Sequence, residues 1–217
     1  MQDRVSSGMD LKVVDGRRYL SLSWSDVEML VKSLAERISS RYEPNMLVGI
    51  LRGGAIVASL LSDVLDMREV YTIGCRSYTG VEEREGVIIY QPLSSSSLWD
   101  RDVLVVDDVA DTGETMKCIV KYFEGLYPRS VKTATLHIKP HTSFIPDFYV
   151  ENVDAWIVYP WGTNELVRKL APSMLPRFGI SRTIEELMKI VSNEDVIRRN
   201  LPSERVRDKE ALGREMF

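Results

Sequence analysis

The chain has 217 residues, 44% hydrophobic and 28% charged, with a formal net charge of −4 at pH 7. That is room for one sizeable core, or a core with a small appended subdomain, and the composition leads us to expect a soluble globular protein. The acidic balance removes the electrostatic case for nucleic-acid binding; no apolar run reaches membrane-spanning length, and the polar start Met1-Gln2-Asp3-Arg4 is unlike a signal peptide, so a cytoplasmic protein is expected.

In chain order, Ser25-Asp26-Val27-Glu28 reads as a capping box opening an amphipathic helix with Val27, Leu30, Val31, Leu34 and Ile38 on one face. Leu47 to Leu51 reads as a buried strand and Ala55 to Leu65 as the helix after it. Between them Arg52-Gly53-Gly54 combines a fixed positive charge with glycines that let backbone N–H groups approach an anion. Val70 to Ile73 is a strand, with Val87 to Tyr90 as a hairpin partner across a polar, glycine-bounded loop, Tyr78 to Gly86. Ser94 to Ser97 reads as a loop. Cys75 and Cys118 stand outside any metal-ligand spacing and are expected to be small buried residues.

Val103 to Val106 are four apolar, mostly β-branched residues in a row, the pattern of a buried parallel strand. Asp107 and Asp108 stand at its carboxyl end, where open α/β sheets bind ligands. Adjacent carboxylates suit a sugar diol or a hydrated Mg²⁺. Asp111-Thr112-Gly113-Glu114-Thr115 then forms a short loop entering a helix marked by Met116, Ile119, Val120 and Phe123, and such a loop offers backbone N–H groups to a phosphate. Val131 to Ile138 is a further strand, ended by Lys139-Pro140. Strands alternating with helices imply a parallel sheet covered on both faces. Past Trp161 the composition changes: 164–217 shows no strand, is punctuated at Pro172, Pro176 and Gly179, and carries a second capping box, Thr183-Ile184-Glu185-Glu186. Two or three short helices are expected there, and the alternating charges of 204–210 read as a solvated helix face.

Residues 103–116 closely resemble the 5-phosphoribosyl-1-pyrophosphate (PRPP) signature of type I phosphoribosyltransferases, and Arg52-Gly53-Gly54 is similar to that family's pyrophosphate loop. The resemblance spans roughly Leu47 to Trp161. It implies an α/β fold: a type I phosphoribosyltransferase core of parallel sheet flanked by helices, with a base-binding hood near 139–161. Core and hood would occupy 1–163, and the C-terminal helical subdomain 164–217.

By that resemblance Asp111, Thr112, Gly113, Glu114 and Thr115 bind the 5′-phosphate, and Asp107 and Asp108 the ribose hydroxyls, directly or through Mg²⁺. Arg52, Gly53 and Gly54 bind pyrophosphate, at a peptide that is often cis in the family. Asp111 matches the residue beside the base N7 and is assigned general acid/base work. Ser77 and Tyr78 are similar to a pair that opens a flexible loop over the reacting centre. Lys139 resembles the lysine that donates to the exocyclic O6 of a 6-oxopurine, and Asp154 to Trp161 resembles the purine-binding segment, with Trp156 stacking on the base and Ile157 beside it. Where many relatives carry an acidic residue after that segment, this chain has Gly162-Thr163-Asn164-Glu165; either Glu165 substitutes or the role is absent.

The implied reaction joins hypoxanthine, guanine or xanthine to PRPP with Mg²⁺, giving a nucleoside 5′-monophosphate and pyrophosphate, in a homodimer. Adenine is the alternative base. A PRPP-sensing regulator on the same fold is the alternative of another class, and a PRPP synthetase-like enzyme lacks an ATP-binding candidate. Each assignment has a plainer counterpart: Asp111 or Thr112 as a helix cap, Gly53-Gly54 as a tight turn, Lys139 as a solvated lysine, Trp156 and Trp161 as packing residues.

Overall fold

The structure, a computed structural model, describes residues 11–78, 86–93 and 97–202. The loop residues 79–85, serines 94–96 and the charge-alternating stretch 204–210 lie outside the described residues. In chain order the elements are β1 (Leu11–Val14), β2 (Arg17–Ser21), α1 (Trp24–Ser39), β3 (Met46–Leu51), α2 (Gly53–Val64), β4 (Val70–Tyr78), β5 (Gly86–Gln91) and β6 (Asp102–Ala110). There follow α3 (Glu114–Glu124), β7 (Ser130–Ile138), β8 (Phe148–Asn152), β9 (Trp156–Val158), α4 (Thr163–Met188) and α5 (Glu194–Asn200). They form two compact units, one over 25–154 and one joining 11–24 to 155–202.

The first unit is built on a six-stranded sheet in the order β5-β4-β3-β6-β7-β8. All neighbours are parallel except β5, which returns antiparallel along β4. Val103, Leu104, Val105 and Val106 are fully buried because β6 is central and both its faces are covered. Alternation divides the run: Val103 and Val105 join Met46, Val48 and Ile50 of β3 and Met116, Ile119 and Phe123 of α3 in one core. Leu104 and Val106 face the other way, and α2 packs against β3 and β6. At about 1.5–3 kcal/mol per fully buried large apolar side chain, this strand is a principal anchor of the sheet.

The second unit holds a three-stranded sheet, β1-β2-β9, in which β1 and β2 form a hairpin and β9 lies parallel to β2. The hairpin turns at Asp15-Gly16, both with positive φ (47° and 75°), the pairing that two-residue hairpin turns favour. Tyr19, Val158, Val167, Met174, Leu187, Ile190 and Ile197 make the core beneath it. The C-terminal helices are therefore the floor on which β9 rests, and Ser21 Oγ donates to the Ile190 carbonyl at 2.7 Å.

Several expectations are corrected. Contacts divide the chain at 154/155 and 24/25, not at 163, because the N-terminal hairpin and β9 share a sheet and a core with the tail helices. The expected hood is consequently split, with 139–154 in the first unit and 155–161 in the second. Helix α1 opens at Trp24, which places Ser25 inside the helix. Pro172 and Pro176 lie within α4 without ending it, since Leu166, Val167, Ala171, Met174 and Leu175 keep one face packed; the break falls at Gly179 (φ 71°, ψ 175°). Thr183 is no cap: it is buried inside the helix and its hydroxyl has no hydrogen-bond partner. Cys75 and Cys118 are free thiols, half-buried rather than fully buried. No described helix is long and apolar enough to cross a membrane.

Candidate functional site

The sheet order reverses direction between β3 and β6: the chain leaves β3 towards β4 on one side and leaves β6 towards β7 on the other. Ligands bind at the carboxyl ends of strands flanking such a switch point. Residues 51–54 and 107–115 occupy those ends.

Three features make this corner close-packed. The Leu51–Arg52 peptide is cis, as the resemblance implies. A Cβ on Gly53 would overlap the Asp108 carboxylate, and one on Gly54 would fall 2.8 Å from Asp107 Cα. The glycines thus let the start of α2 lie directly on the acidic pair. Asp108 N–H donates to Asp107 Oδ1 at 2.9 Å. Desolvation of the Asp107 carboxyl, reinforced by the neighbouring Asp108 charge, pushes its pKa well above the usual carboxylate range. Burial, with Asp107 nearby, also pushes the Cys75 thiol up to about 11.

Two crowded carboxylates with hard oxygen donors fit a divalent cation, which would relieve their repulsion. Among the described residues no cluster of three or more His, Cys, Asp or Glu stands ready for a metal. Mg²⁺ does not need one, because it takes one or two carboxylates and completes its shell with water and substrate phosphates.

The loop expected to bind phosphate follows. Gly113 takes φ +85° at the N-cap position of α3, where a Cβ would meet Phe144 at 2.7 Å and Thr142 Oγ1 at 3.0 Å. Glu114 N–H donates to Thr112 Oγ1 at 3.4 Å. Glu114 itself is turned towards Lys117, at 2.8 Å, which with Ser143 holds its carboxyl below the usual range. Ser77, Asp107, Asp111, Thr112, Gly113 and Thr115 line one cavity of about 220 Å³. A larger cavity of about 680 Å³, lined among others by Met46, Tyr71, Gln91 and Arg101, contains none of the expected site residues.

Lys139 is half-buried at the end of β7, and its N–H donates to the Ala110 carbonyl at 3.0 Å. Burial lowers its pKa, while Asp111 and Asp154 oppose that shift. The first unit thus gathers Asp107, Asp108, Asp111 to Thr115, Ser77 and Lys139 at neighbouring strand ends, with Gly53 and Gly54 against the acidic pair and Arg52 preceding them at the N-cap of α2. Tyr78 ends β4 opposite Gly86.

The remaining expected residues belong to the second unit. Trp156 is 44% exposed on β9, opposite Tyr19 of β2, and Lys169 Nζ sits 4.2 Å from the centre of its ring. Ile157 pairs with Leu20. Trp161 packs against Tyr159 (4.7 Å, 9° between planes) and Trp24 (5.7 Å), the plain packing role. Glu165 is exposed in the first turn of α4.

The sequence reading missed the segment after Lys139. Ser143 donates to the Thr112 carbonyl from both its N–H (3.0 Å) and its Oγ (2.6 Å), and Lys117 Nζ reaches Ser143 Oγ at 2.8 Å. His141 Nε2 lies 2.8 Å from Asp111 Oδ1. No local motif marks these residues; the available signal was their place just past a strand that pairs with β6, where successive βα loops meet.

The phosphoribosyl transferase domain model matches residues 22–168. A xanthine-guanine phosphoribosyltransferase of Cereibacter sphaeroides is 33% identical over 146 residues, 64% of this chain and 84% of that protein. Among solved structures, the purine phosphoribosyltransferase from Pyrococcus horikoshii superposes with a TM-score of 0.60 at 35% identity, covering 66% of this chain and 93% of that one. A protein from Neisseria gonorrhoeae with bound ppGpp gives 0.61 at 29% identity, covering 67% and 89%. A match across this much of the chain, centred on the switch point and both its loops, settles the family: the chain belongs to the phosphoribosyl transferase domain family.

Proposed function

We propose that this protein transfers the 5-phosphoribosyl group of PRPP to a 6-oxopurine, releasing pyrophosphate and a nucleoside 5′-monophosphate in purine salvage. The observation that carries the reading is the convergence, at one switch point, of a glycine-packed acidic pair, an open-ended phosphate loop and a half-buried lysine facing Asp111. The relatives named for xanthine and guanine support this substrate class.

In this reading the first-turn N–H groups of α3 and the hydroxyls of Thr112 and Thr115 hold the 5′-phosphate. Asp107 and Asp108 would hold the ribose diol and Mg²⁺, which would supply positive charge against the pyrophosphate. Arg52 and the N–H groups of Gly53 and Gly54 receive that leaving group. As the base N9 attacks C1′ and the C1′–O bond breaks, Asp111 takes the N7 proton. Lys139 donates to O6, a contact that the N6 amino group of adenine would repel. Trp156 and Ile157 are assigned to the base ring and Ser77 and Tyr78 to loop closure; either Glu165 takes the place of the family's later acid or that role is absent. We also assign the protein to the cytoplasm as a homodimer. The same anion loops suit ppGpp, which is bound in the Neisseria structure.

The test is pyrophosphate release from Mg²⁺-PRPP with hypoxanthine, guanine, xanthine, adenine or no base in parallel. Turnover with 6-oxopurines supports the reading. Turnover with adenine alone overturns the assignment of Lys139, and PRPP binding without turnover for any base favours a PRPP-sensing regulator.

A further inference from the structure

Asp111 has been assigned the N7 proton, but a carboxylate on a loop can rotate, and its side chain is 61% exposed. Proton transfer requires one oxygen to point at the base. The partner that meets the other oxygen is His141, whose Nε2 lies 2.8 Å from Asp111 Oδ1. An ionised carboxylate only accepts, so the imidazole carries its hydrogen on Nε2 and donates.

The backbone beneath His141 is tied to the loop that carries Asp111, residue by residue. Lys139 N–H donates to Ala110 O at 3.0 Å, Thr142 N–H closes a turn on Lys139 O at 3.0 Å, and Ser143 donates twice to Thr112 O. On the other side of Asp111, Gly113 lies so close to Thr142 and Phe144 that no Cβ fits between them. The strands beneath are in register, with Ala110 beside Ile138. His141 and Asp111 are therefore held in a common frame of main-chain bonds, although both side chains face solvent. Lys139, next to Asp111 and Asp154, is a charge that faces this carboxylate.

We propose that His141 is a positioning residue for phosphoribosyl transfer: by donating from Nε2 to Oδ1 it holds the Asp111 carboxylate so that Oδ2 faces the base N7–H. The inference rests on the reaction proposed above. In the step itself the N9 electron pair forms the bond to C1′, the C1′–O bond breaks to release pyrophosphate, and the N7 proton passes to Oδ2. His141 neither gains nor loses a proton. Its effect lies in orientation, where small misplacements of a reacting group carry large rate costs. An exposed side-chain contact of this kind adds little to folding, so removing it leaves stability in place and isolates the kinetic role.

The experiment compares wild type, His141→Ala, His141→Gln and Asp111→Asn, with the double variant H141A/D111N, in steady-state assays with Mg²⁺-PRPP and the preferred purine. Expected are a fall in kcat of about 10- to 10²-fold for His141→Ala, an unchanged KM for PRPP and an unchanged melting temperature. Glutamine places an N–H near the Nε2 position, so His141→Gln should recover most of the lost kcat. The double variant should be no slower than Asp111→Asn, because the two residues act as one unit. Full activity in His141→Ala, a loss confined to KM, no rescue by glutamine, or multiplying losses in the double variant would each overturn the role.

The pair is also read in the ligand-free protein by imidazole ¹⁵N resonances. The chain has two histidines, so the His141 signals are assigned by their absence in His141→Gln. They should shift on Asp111→Asn, and an unmoved spectrum overturns the pairing. A wild type that turns over no purine while these resonances do shift overturns the reaction and with it the role, and leaves the pairing standing.

Discussion

Gly53 and Asp108 share one volume: a side-chain carbon on Gly53 would occupy the space of the Asp108 carboxylate. The first residue of α2 and the second acid of β6 come from separate segments, yet neither can change shape without the other. Gly53→Ala should displace the carboxylate and weaken Mg²⁺-PRPP binding by about tenfold or more, each factor of ten corresponding to about 1.4 kcal/mol. Calorimetric titration with Mg²⁺-PRPP reads this directly, and undiminished affinity would show that the close approach does not serve the ligand.

Asp111→Asn keeps the size of the side chain and removes the base. Turnover should fall by about 10²–10⁴-fold, the usual span for general acid–base catalysis, with PRPP binding retained. Equal losses in binding and turnover would make Asp111 structural.

Lys139→Ala separates the bases. The half-buried cation is placed beside Asp111 and Asp154, and its removal should reduce kcat/KM for hypoxanthine, guanine and xanthine by about 10²-fold while sparing adenine, as expected when a donor to a substrate oxygen is lost. A uniform loss across all four bases would take Lys139 out of base recognition.

Asp107 carries a pH prediction. Its folded-state pKa is raised by burial and by Asp108, so the folded chain holds this proton more tightly than the unfolded one. The stability tied to it is complete below the unfolded carboxylate pKa, about 4, and is lost as pH rises through the raised folded value. Asp107→Asn escapes that loss and should melt higher than wild type at neutral pH in the absence of ligand, with the gap closing towards acid. A variant less stable than wild type at neutral pH would mean that the accepted hydrogen bonds outweigh the buried charge.

Gly179 tests the second unit. It breaks α4 at φ 71° and ψ 175°, and a Cβ there meets nothing within 4 Å. The cost of Gly179→Ala is thus purely one of backbone conformation, about 1–3 kcal/mol in a region nearly confined to glycine. Denaturant melts would show it, and an unchanged midpoint would mean that the helix straightens through the site.

Local chemistry made part of this protein legible in advance. Val103 to Val106 could be read as a covered central strand because four apolar residues in a row cannot serve a one-sided sheet, and Asp107 to Thr115 stood out because acids, glycine and hydroxyls follow that strand in order. The Asp15-Gly16 turn between Val14 and Arg17 was an available hairpin signal that went unread. β8 and β9 are short and their apolar residues few, so periodicity had little to act on.

The sequence by itself determined the order of strands and helices from α1 to β7, the two glycine-bearing loops and the acidic pair, because each depends on residues adjacent in the chain. Tertiary structure decided what depends on distant residues. The N-terminal hairpin pairs with β9 and shares a core with the tail helices, so burial sets the boundary at 154/155 despite the change in composition near Trp161. His141, thirty positions from Asp111, becomes its partner only because β6 and β7 run parallel in register and bring the loops at their ends to the same place.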